Sequence, residues 1–265
     1  MVNCSRIVGT AVIASLALVG GAATAGAAET TAYDSYVALG DSYSSGVGAG
    51  DYGDSGGCKR SANAYPQLYA DANGISDFQF AACLGARTDD VLAQADSLSS
   101  GTDVVTVSVG GNDAGFVDVM IDCTTSSEQG CVDRVDEAKE YVETTLPGLL
   151  DGVYDKIRAN APDAEVFVLG YPQFYEIGGS CNAGLSDTKR AAINSGADAL
   201  AEAVSERAAA AGFTFVDVRD EFAGHEICSD DWWLHSVKWP IDESYHPNVA
   251  GQEHGYLSAL AGAAG

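Results

Sequence analysis

Three residues of this 265-residue chain have side chains that could together cleave an ester. Ser42 lies in a glycine-rich segment, Asn112 follows two glycines, and His246 lies near the carboxyl terminus. A serine hydroxyl becomes a good nucleophile when a base accepts its proton, and histidine suits that role near neutral pH. An asparagine amide can donate a hydrogen bond to the oxyanion that forms during attack on a carbonyl. These residue types predict serine-dependent acyl chemistry.

Short apolar runs predict the strands that would position these residues. The runs are rich in β-branched and aromatic residues and alternate with helical patterns, which is typical of a parallel sheet covered on both faces. They are Tyr36–Leu39, Phe78–Ala81, Val104–Val109, Val166–Leu169 and Phe213–Val218. The sequence therefore predicts an α/β protein, a three-layer α/β/α sandwich around a flavodoxin-like, doubly wound parallel sheet of about five strands.

Helix signals are strongest at four places. Thr88 is predicted to cap a helix that runs through Ala95, and Pro147 suits the first turn of another helix. An Ala-rich helix is predicted over Ser186–Ala211, and Asn248 is predicted to cap a final helix. Ligands of doubly wound sheets bind at the carboxyl ends of the strands, so we expect the site in the loops that follow them.

The same loops resemble the motifs of the SGNH hydrolases, also called the GDSL lipase/esterase family. Gly40–Ser42 (Gly-Asp-Ser) is similar to the first block of that family, and Gly110–Asp113 (Gly-Gly-Asn-Asp) is similar to the third. His246 matches the fifth block, and Gly85 falls where the glycine of the second block is expected. The resemblance extends over residues 36–250, with the blocks in the family order.

The resemblance implies a role for each residue. Ser42 is expected to attack an ester carbonyl and to carry the acyl group, with His246 as general base and then general acid. The oxyanion is expected to bind the backbone N–H groups of Ser42 and Gly85 and the side-chain amide of Asn112. No cofactor and no metal are expected, since the sequence has neither a Cys-x-x-Cys pair nor a histidine pair with zinc spacing.

The group that orients His246 is left open by the sequence. Many members of the family have an aspartate three residues before the histidine, where this chain has Glu243. Glu243, the neighbouring Asp242 and the backbone carbonyl of Ser244 could each fix the tautomer of the ring. Because the aspartate is missing, we favour the carbonyl.

The expected substrate follows from the resemblance, which extends to secreted bacterial lipases and phospholipases and implies a lipid-like carboxylic ester. A phospholipid and an acetylated carbohydrate are alternative substrates for the same site. A noncatalytic surface-binding protein is the alternative from another class. Trp232, Trp233 and Trp239 either pack within a loop or form a wall of the acyl pocket.

The amino terminus has the pattern of a secretory signal peptide. Arg6 precedes an apolar run, Ile7–Val19, and small residues follow in Ala23–Ala27. The run is shorter than the roughly 20 residues that are needed to span a bilayer. We therefore expect residues 1–28 to be a signal peptide, residues 29–265 to form one hydrolase domain, and the protein to be secreted.

Six of the seven cysteines lie beyond that segment. Six cysteines in an oxidising compartment predict three disulfides, for which about 15 pairings are possible. The sequential pairing is the simplest because it closes loops of modest length: Cys58–Cys83, Cys123–Cys131 and Cys181–Cys228. Its pattern is similar to that of secreted bacterial lipases of the family.

The composition excludes several partners. Asp and Glu number 38 against 13 Lys and Arg, which gives a formal net charge of −25, while hydrophobic residues make up 46%. This apolar content predicts a packed core rather than a disordered acidic chain. Nucleic acids require clustered positive charge, and an anionic bilayer would repel the protein. We expect a monomer without stable membrane anchoring that acts on a small-molecule or lipid ester.

Overall fold

A parallel sheet lies at the centre of the structure, a computed structural model that describes residues 1–3, 33–181 and 185–265. Across these residues the sheet has five strands: β1 (Ser35–Gly40), β2 (Asp77–Phe80), β3 (Val104–Ser108), β4 (Glu165–Leu169) and β5 (Thr214–Val216). Their order in the sheet is β2-β1-β3-β4-β5. This arrangement, with helices on its flanks, confirms the predicted fold class.

The middle strand, β3, is buried over its whole length. It pairs in parallel with β1 and β4, so that Gly40 lies beside Ser108 and Val107 beside Val168. Helices cover the sheet, and the side chains on both sides of β3 are therefore removed from water. The edge strand β2 is paired with β1 alone and alternates between exposed and half-buried residues.

Helices connect the strands and form the outer layers. The α-helices are α1 (Ser42–Ser45), α2 (Tyr65–Asn73), α3 (Thr88–Gln94), α4 (Phe116–Thr125), α5 (Glu128–Thr144), α6 (Leu146–Asn160), α7 (Asp187–Ala210), α8 (Arg219–Phe222) and α9 (Ser258–Ala264). In the described part of the chain, a π-helix (Gly251–Leu257) leads into α9, and short 3-10 segments lie at Gly56–Cys58, Ala95–Ser97 and Ile241–Glu243. Because parallel crossovers are right-handed, the change of direction at β1 places α2 on the opposite face from α3, α6 and α7.

The helix boundaries agree with the sequence signals with one exception. The Ser186 side chain caps α7, and the Asn248 side chain accepts a hydrogen bond from the Gly251 N–H. The expectation that Thr88 caps a helix is wrong, because Thr88 is already the first residue of α3. Its backbone N–H and its hydroxyl both donate to the carboxylate of Asp113 instead.

The sequence signals did not indicate α2, α4 or α5. The residue before α4 is Gly115, which has a φ of 76° and provides no side-chain cap. Helix α5 is largely polar, with three buried side chains: Cys131, Val135 and Val142. Weak capping and a narrow apolar stripe are poor helix signals, although both helices turn out to border the functional site.

The disulfides of the structure follow the sequential pairing. Cys58–Cys83 joins the segment after α1 to the loop after β2, and Cys123–Cys131 joins α4 to α5. Cys181–Cys228 joins the segment before α7 to the segment after α8. Residues 4–32, which include most of the predicted signal peptide, lie outside the described residues. Within the described ranges, none of the helices is long and apolar enough to cross a membrane.

Candidate active site

Ser42 is positioned by a sharp turn at the end of β1. Gly40 has a φ of 125°, and a Cβ atom there would lie 2.6 Å from the carbonyl oxygen of Ser108 in β3. A glycine is therefore required where the chain turns beside its neighbouring strand. Asp41 then caps α1 by accepting a hydrogen bond from the Tyr43 N–H. Ser42 is the first residue of this one-turn helix and is buried at the edge of the sheet.

His246 reaches Ser42 from the opposite end of the chain. Its Nε2 atom lies 2.7 Å from Ser42 Oγ, and its Nδ1 atom lies 2.9 Å from the carbonyl oxygen of Ser244. A carbonyl can only accept, so Nδ1 carries the proton and Nε2 is free to accept the serine proton. Burial lowers the pKa of His246 to about 4, so the ring is neutral at neutral pH.

Of the three groups considered for orienting His246, the structure brings the Ser244 carbonyl to the ring. The carboxylate of Glu243 binds Lys238 Nζ at 2.7 Å and accepts the Tyr52 hydroxyl at 2.9 Å. The carboxylate of Asp242 forms an ion pair of 2.7 Å with Lys59. Both carboxylates are therefore turned toward lysines, and their hydrogen bonds hold the loop that precedes the histidine.

Backbone contacts hold His246 in place. Tyr245 has a φ of 62°, which bends the chain between the Ser244 carbonyl and the imidazole that it contacts. The Tyr43 hydroxyl donates to the Tyr245 carbonyl at 2.6 Å. The backbone of His235 pairs with Tyr245 and His246 at 3.0 and 2.9 Å. Tyr43 and His235 are thus part of the site, and the sequence carried no signal for the role of His235.

The carboxylate of Asp41 links three strand ends beneath Ser42. It accepts hydrogen bonds from the Ser108 hydroxyl at the end of β3 and from the Tyr171 hydroxyl after β4. The Tyr171 oxygen in turn accepts a weak 3.4 Å bond from the Gly111 N–H. Burial is the main cause that raises the pKa of Asp41 to about 6, and the hydrogen bonds oppose that rise. This network fixes the β1 turn relative to the loop that carries the asparagine.

The loops that hold Gly85 and Asn112 are joined by side-chain hydrogen bonds. The Asn112 amide donates to the Ala86 carbonyl at 3.0 Å, and the Asp113 carboxylate accepts both donors of Thr88. An amide nitrogen has two hydrogens, so the bond to Ala86 leaves one for a ligand. Gly85, with a φ of 78°, and Asn112 line the same cavity as Ser42 and His246.

This cavity has a volume of about 610 Å³ and extends from the serine into the space between α4, α5 and α7. Its walls are almost entirely apolar away from the serine, with contributions from Met120, Val135, Val142, Ala197 and Leu200. Cavities of this size with mostly apolar walls bind small, largely apolar molecules. The chain thus combines a polar reacting end with an apolar space.

The tryptophans do not form the wall of this cavity, so the interpretation of them as an acyl-pocket wall is wrong. The Trp232 indole donates to the Ser229 carbonyl at 2.6 Å, and the Trp233 ring stacks on His225 with centroids 3.6 Å apart. Both pack against the core as loop residues. Trp239 is 86% exposed.

A parallel α/β/α sheet with a hydrogen-bonded Ser–His pair at its carboxyl edge is the arrangement of a serine hydrolase. The sequence profile of the GDSL-like Lipase/Acylhydrolase family matches residues 38–254. The chain belongs to this family, and it is a carboxylic ester hydrolase.

Similar proteins come from Streptomyces. Lipase 1 of Streptomyces coelicolor is 57% identical over 265 residues, which cover 98% of each chain. The crystal structure of an extracellular lipase from Streptomyces rimosus is 54% identical and has a TM-score of 0.85, covering 86% of this chain and 99% of that one. Phospholipase A1 from Streptomyces albidoflavus has the same TM-score at 55% identity, covering 88% of this chain and 100% of that one.

Proposed function

We propose that this chain is a secreted lipase that cleaves carboxylic esters of long acyl chains through an acyl-enzyme on Ser42. The observation that carries the proposal is the 2.7 Å hydrogen bond between His246 Nε2 and Ser42 Oγ at the polar end of an apolar cavity. The names of the Streptomyces lipases that it resembles support the same substrate class.

In the first half-reaction, Ser42 Oγ attacks the ester carbonyl while its proton moves to His246 Nε2. The resulting imidazolium keeps its Nδ1 hydrogen bond to the Ser244 carbonyl, which stabilises the positive ring in the absence of a carboxylate partner. The tetrahedral intermediate collapses when His246 gives this proton to the alkoxide of the leaving alcohol. The acyl group then remains on Ser42.

In the second half-reaction, water attacks the acyl-enzyme and gives a proton to His246. The second tetrahedral intermediate collapses to release the carboxylic acid, and Ser42 recovers its proton from the ring. In both intermediates the negative oxygen is held by the N–H groups of Ser42 and Gly85 and by the second amide hydrogen of Asn112. One such donor is worth on the order of 3 kcal/mol in barrier height.

The acyl chain of the substrate occupies the space between α4, α5 and α7. Burial of a long alkyl chain against the apolar walls stabilises the enzyme–substrate complex by about 0.8 kcal/mol per methylene. Burial of an acetyl group stabilises it much less. A lipid ester is therefore favoured over an acetylated carbohydrate. A phospholipid is the second candidate substrate, because a relative 55% identical to this chain is a phospholipase A1.

Export rests on two features of the chain. Residues 1–28 act as the signal peptide and residues 29–265 as the hydrolase domain. Three disulfides are stable in an oxidising, extracellular compartment and are rare in the cytosol. The extracellular lipase of Streptomyces rimosus supports the same location.

A serine-directed fluorophosphonate tests the site, and nitrophenyl esters of increasing chain length test the substrate class. We expect labelling of Ser42, no labelling of Ser42→Ala, and undiminished labelling of the exposed control Ser258→Ala. We also expect kcat/KM to rise with chain length from acetate to decanoate. An unlabelled native protein would refute the nucleophile, and a preference for acetyl esters, including acetylated xylan, would refute the lipid substrate.

A further inference from the structure

Large apolar side chains are exposed on the two sides of the cavity entrance. Val117 and Ile121 project from α4, and Val237 and Ile241 lie in the segment before His246. All four line the cavity and are more than half exposed. Trp239, between Val237 and Ile241 in the chain, is the most exposed of the group at 86%. We call these five residues the entrance patch.

The charged side chains of the segment from Val237 to Glu243 are held in ion pairs. Lys238 and Glu243 form an ion pair of 2.7 Å, and Asp242 forms another with Lys59. Each pair is neutral as a unit, so the segment that carries Trp239 presents its apolar side chains without a local excess of charge. A patch of this kind adsorbs to an apolar surface at a lower desolvation cost than a surface with unpaired charges.

We propose that the entrance patch docks on the surface of a zwitterionic lipid aggregate and inserts Trp239 at the level of the headgroups. This inference rests on the proposed function, since it explains how an ester with a long acyl chain enters the cavity without crossing water. Four of the five patch residues line the cavity, so docking at the patch directs the cavity entrance at the lipid. The indole of a tryptophan is suited to the boundary between water and lipid.

The charge of the protein selects the kind of lipid surface. The chain carries a formal net charge of −25, which repels an anionic membrane at low ionic strength. A phosphatidylcholine surface has no net charge and lacks this repulsion. Binding is therefore expected to be driven by the apolar patch and to change little with salt.

The binding experiment uses the Ser42→Ala protein, so that the lipid is not hydrolysed, and phosphatidylcholine vesicles in a sedimentation assay. We expect Trp239→Ser to weaken vesicle binding about tenfold, because the variant lacks the aromatic side chain that would be buried in the lipid surface. The matched control is Ile177→Ser, which removes an apolar side chain that is 52% exposed and does not line the cavity. It should change binding less than twofold.

Brominated phosphatidylcholine gives a second measurement on the same vesicles. The bromine atoms should quench the fluorescence of Trp239. The fluorescence of the half-buried Trp232 and Trp233 should remain unquenched and serves as an internal reference. Equal effects of Trp239→Ser and Ile177→Ser on binding would overturn the proposal. Tighter binding to phosphatidylglycerol vesicles than to phosphatidylcholine, or a dimer that forms through the patch without lipid, would overturn it as well.

Failure of this inference is distinguishable from failure of the proposed function. Hydrolysis of soluble nitrophenyl butyrate by the unmodified protein tests the Ser–His site without any lipid surface. A protein that cleaves this ester and ignores vesicles would retain its proposed function and lose the docking surface. A protein that binds vesicles and cleaves no ester would retain the docking surface and lose its proposed function.

Discussion

The two sides of the cavity are held by different interactions. On the strand side, carboxylates join the loops: the buried Asp41 accepts from three donors and the half-buried Asp113 accepts from Thr88. On the helix side, the lining residues of α4 and α5 are mostly apolar. There the Cys123–Cys131 disulfide joins the two helices, and Lys189 donates to two carbonyls at the end of α4.

The strand side of the cavity positions the reacting groups, and the helix side determines which substrate fits. Hydrogen bonds are directional, so the strand side holds Ser42 and Asn112 in a narrow range of geometry. Apolar packing is less directional, and a change of volume on the helix side alters which ligand fits without moving the reacting atoms. We therefore expect substitutions on the strand side to lower turnover for every ester, and substitutions on the helix side to change chain-length selectivity.

The largest effect on the strand side is expected from His246→Ala. Without the base, the serine proton has no acceptor, and kcat should fall by about 10³-fold or more. Turnover of nitrophenyl butyrate measures the loss, and His254→Ala provides a control at a histidine that lies outside the cavity. Equal turnover in His246→Ala and His254→Ala would contradict the assignment of the base.

The next effect is expected from Asn112→Ala, which removes an oxyanion donor. We expect kcat to fall about 10²-fold to 10³-fold with little change in KM, because the lost hydrogen bond is made in the transition state. Asn160→Ala is the matched control, since the Asn160 amide also donates to a backbone carbonyl, that of Ala95, but outside the cavity. A rise in KM at constant kcat would assign Asn112 to substrate binding instead.

The pH dependence of kcat/KM reports the free enzyme and tests the burial of His246. The pKa of His246 is lowered to about 4 by burial, so the active, neutral ring persists well below the ordinary histidine pKa. We expect kcat/KM to fall about tenfold per pH unit only below pH 4. Asp41, whose pKa is raised to about 6, should add a smaller step that Asp41→Asn removes. A main loss of activity centred near pH 6.5 would contradict the buried, neutral histidine.

On the helix side, Gly196→Val should change selectivity rather than turnover. A Cβ at Gly196 would lie 3.3 Å from Val135 Cγ1, and the added methyl groups would fill part of the cavity between α5 and α7. We expect the ratio of kcat/KM for decanoate to that for butyrate to fall about tenfold, equivalent to about two methylenes of lost burial.

The control for this substitution is Gly152→Val in α6, where a Cβ meets no atom within 4 Å. It imposes the same β-branched side chain on a helix and leaves the cavity unchanged. An equal loss of activity on both esters in Gly196→Val would show that this wall also positions the reacting atoms.

The smallest effects are expected from Asp242→Asn and Glu243→Gln. Neither carboxylate is hydrogen-bonded to the histidine ring, and each is paired with a lysine. We expect kcat to change less than about threefold in either variant, as for other exposed or partly exposed ion pairs. A large fall in kcat in one of them would identify that carboxylate as the partner of His246 and would contradict the assignment of the Ser244 carbonyl.

Much of the fold could be predicted from local patterns. The strands lie where the sequence predicts them, and β1, β3, β4 and β5 are apolar runs bounded at their carboxyl ends by a glycine or a polar residue. The helices that border the cavity on its apolar side, α4 and α5, were not predicted. Gly115 gives α4 no side-chain cap, and the two helices are held by tertiary packing, in which α4 packs against α5 and α5 packs against α7.

The candidate site was predicted in part. The possible roles of Ser42, Asn112 and His246 follow from the functional groups of their side chains. The sequence is therefore enough to select them as candidates. The choice among three partners for His246 depends on the direction of a backbone carbonyl, which the positive φ of Tyr245 determines. The contributions of Tyr43 and His235 depend on contacts between distant parts of the chain, for which no local signal exists.

By itself, the sequence determined the class of fold, the family and the residue types that could react, because these depend on periodicity and on side-chain chemistry. The tertiary structure alone decided which group contacts the imidazole, where the acyl cavity extends and which apolar residues remain exposed at its entrance. These properties arise when residues far apart in the chain, such as Ser42 and His246 at a separation of 204 residues, come within hydrogen-bond distance. Long-range packing sets that geometry, and no short stretch of sequence encodes it.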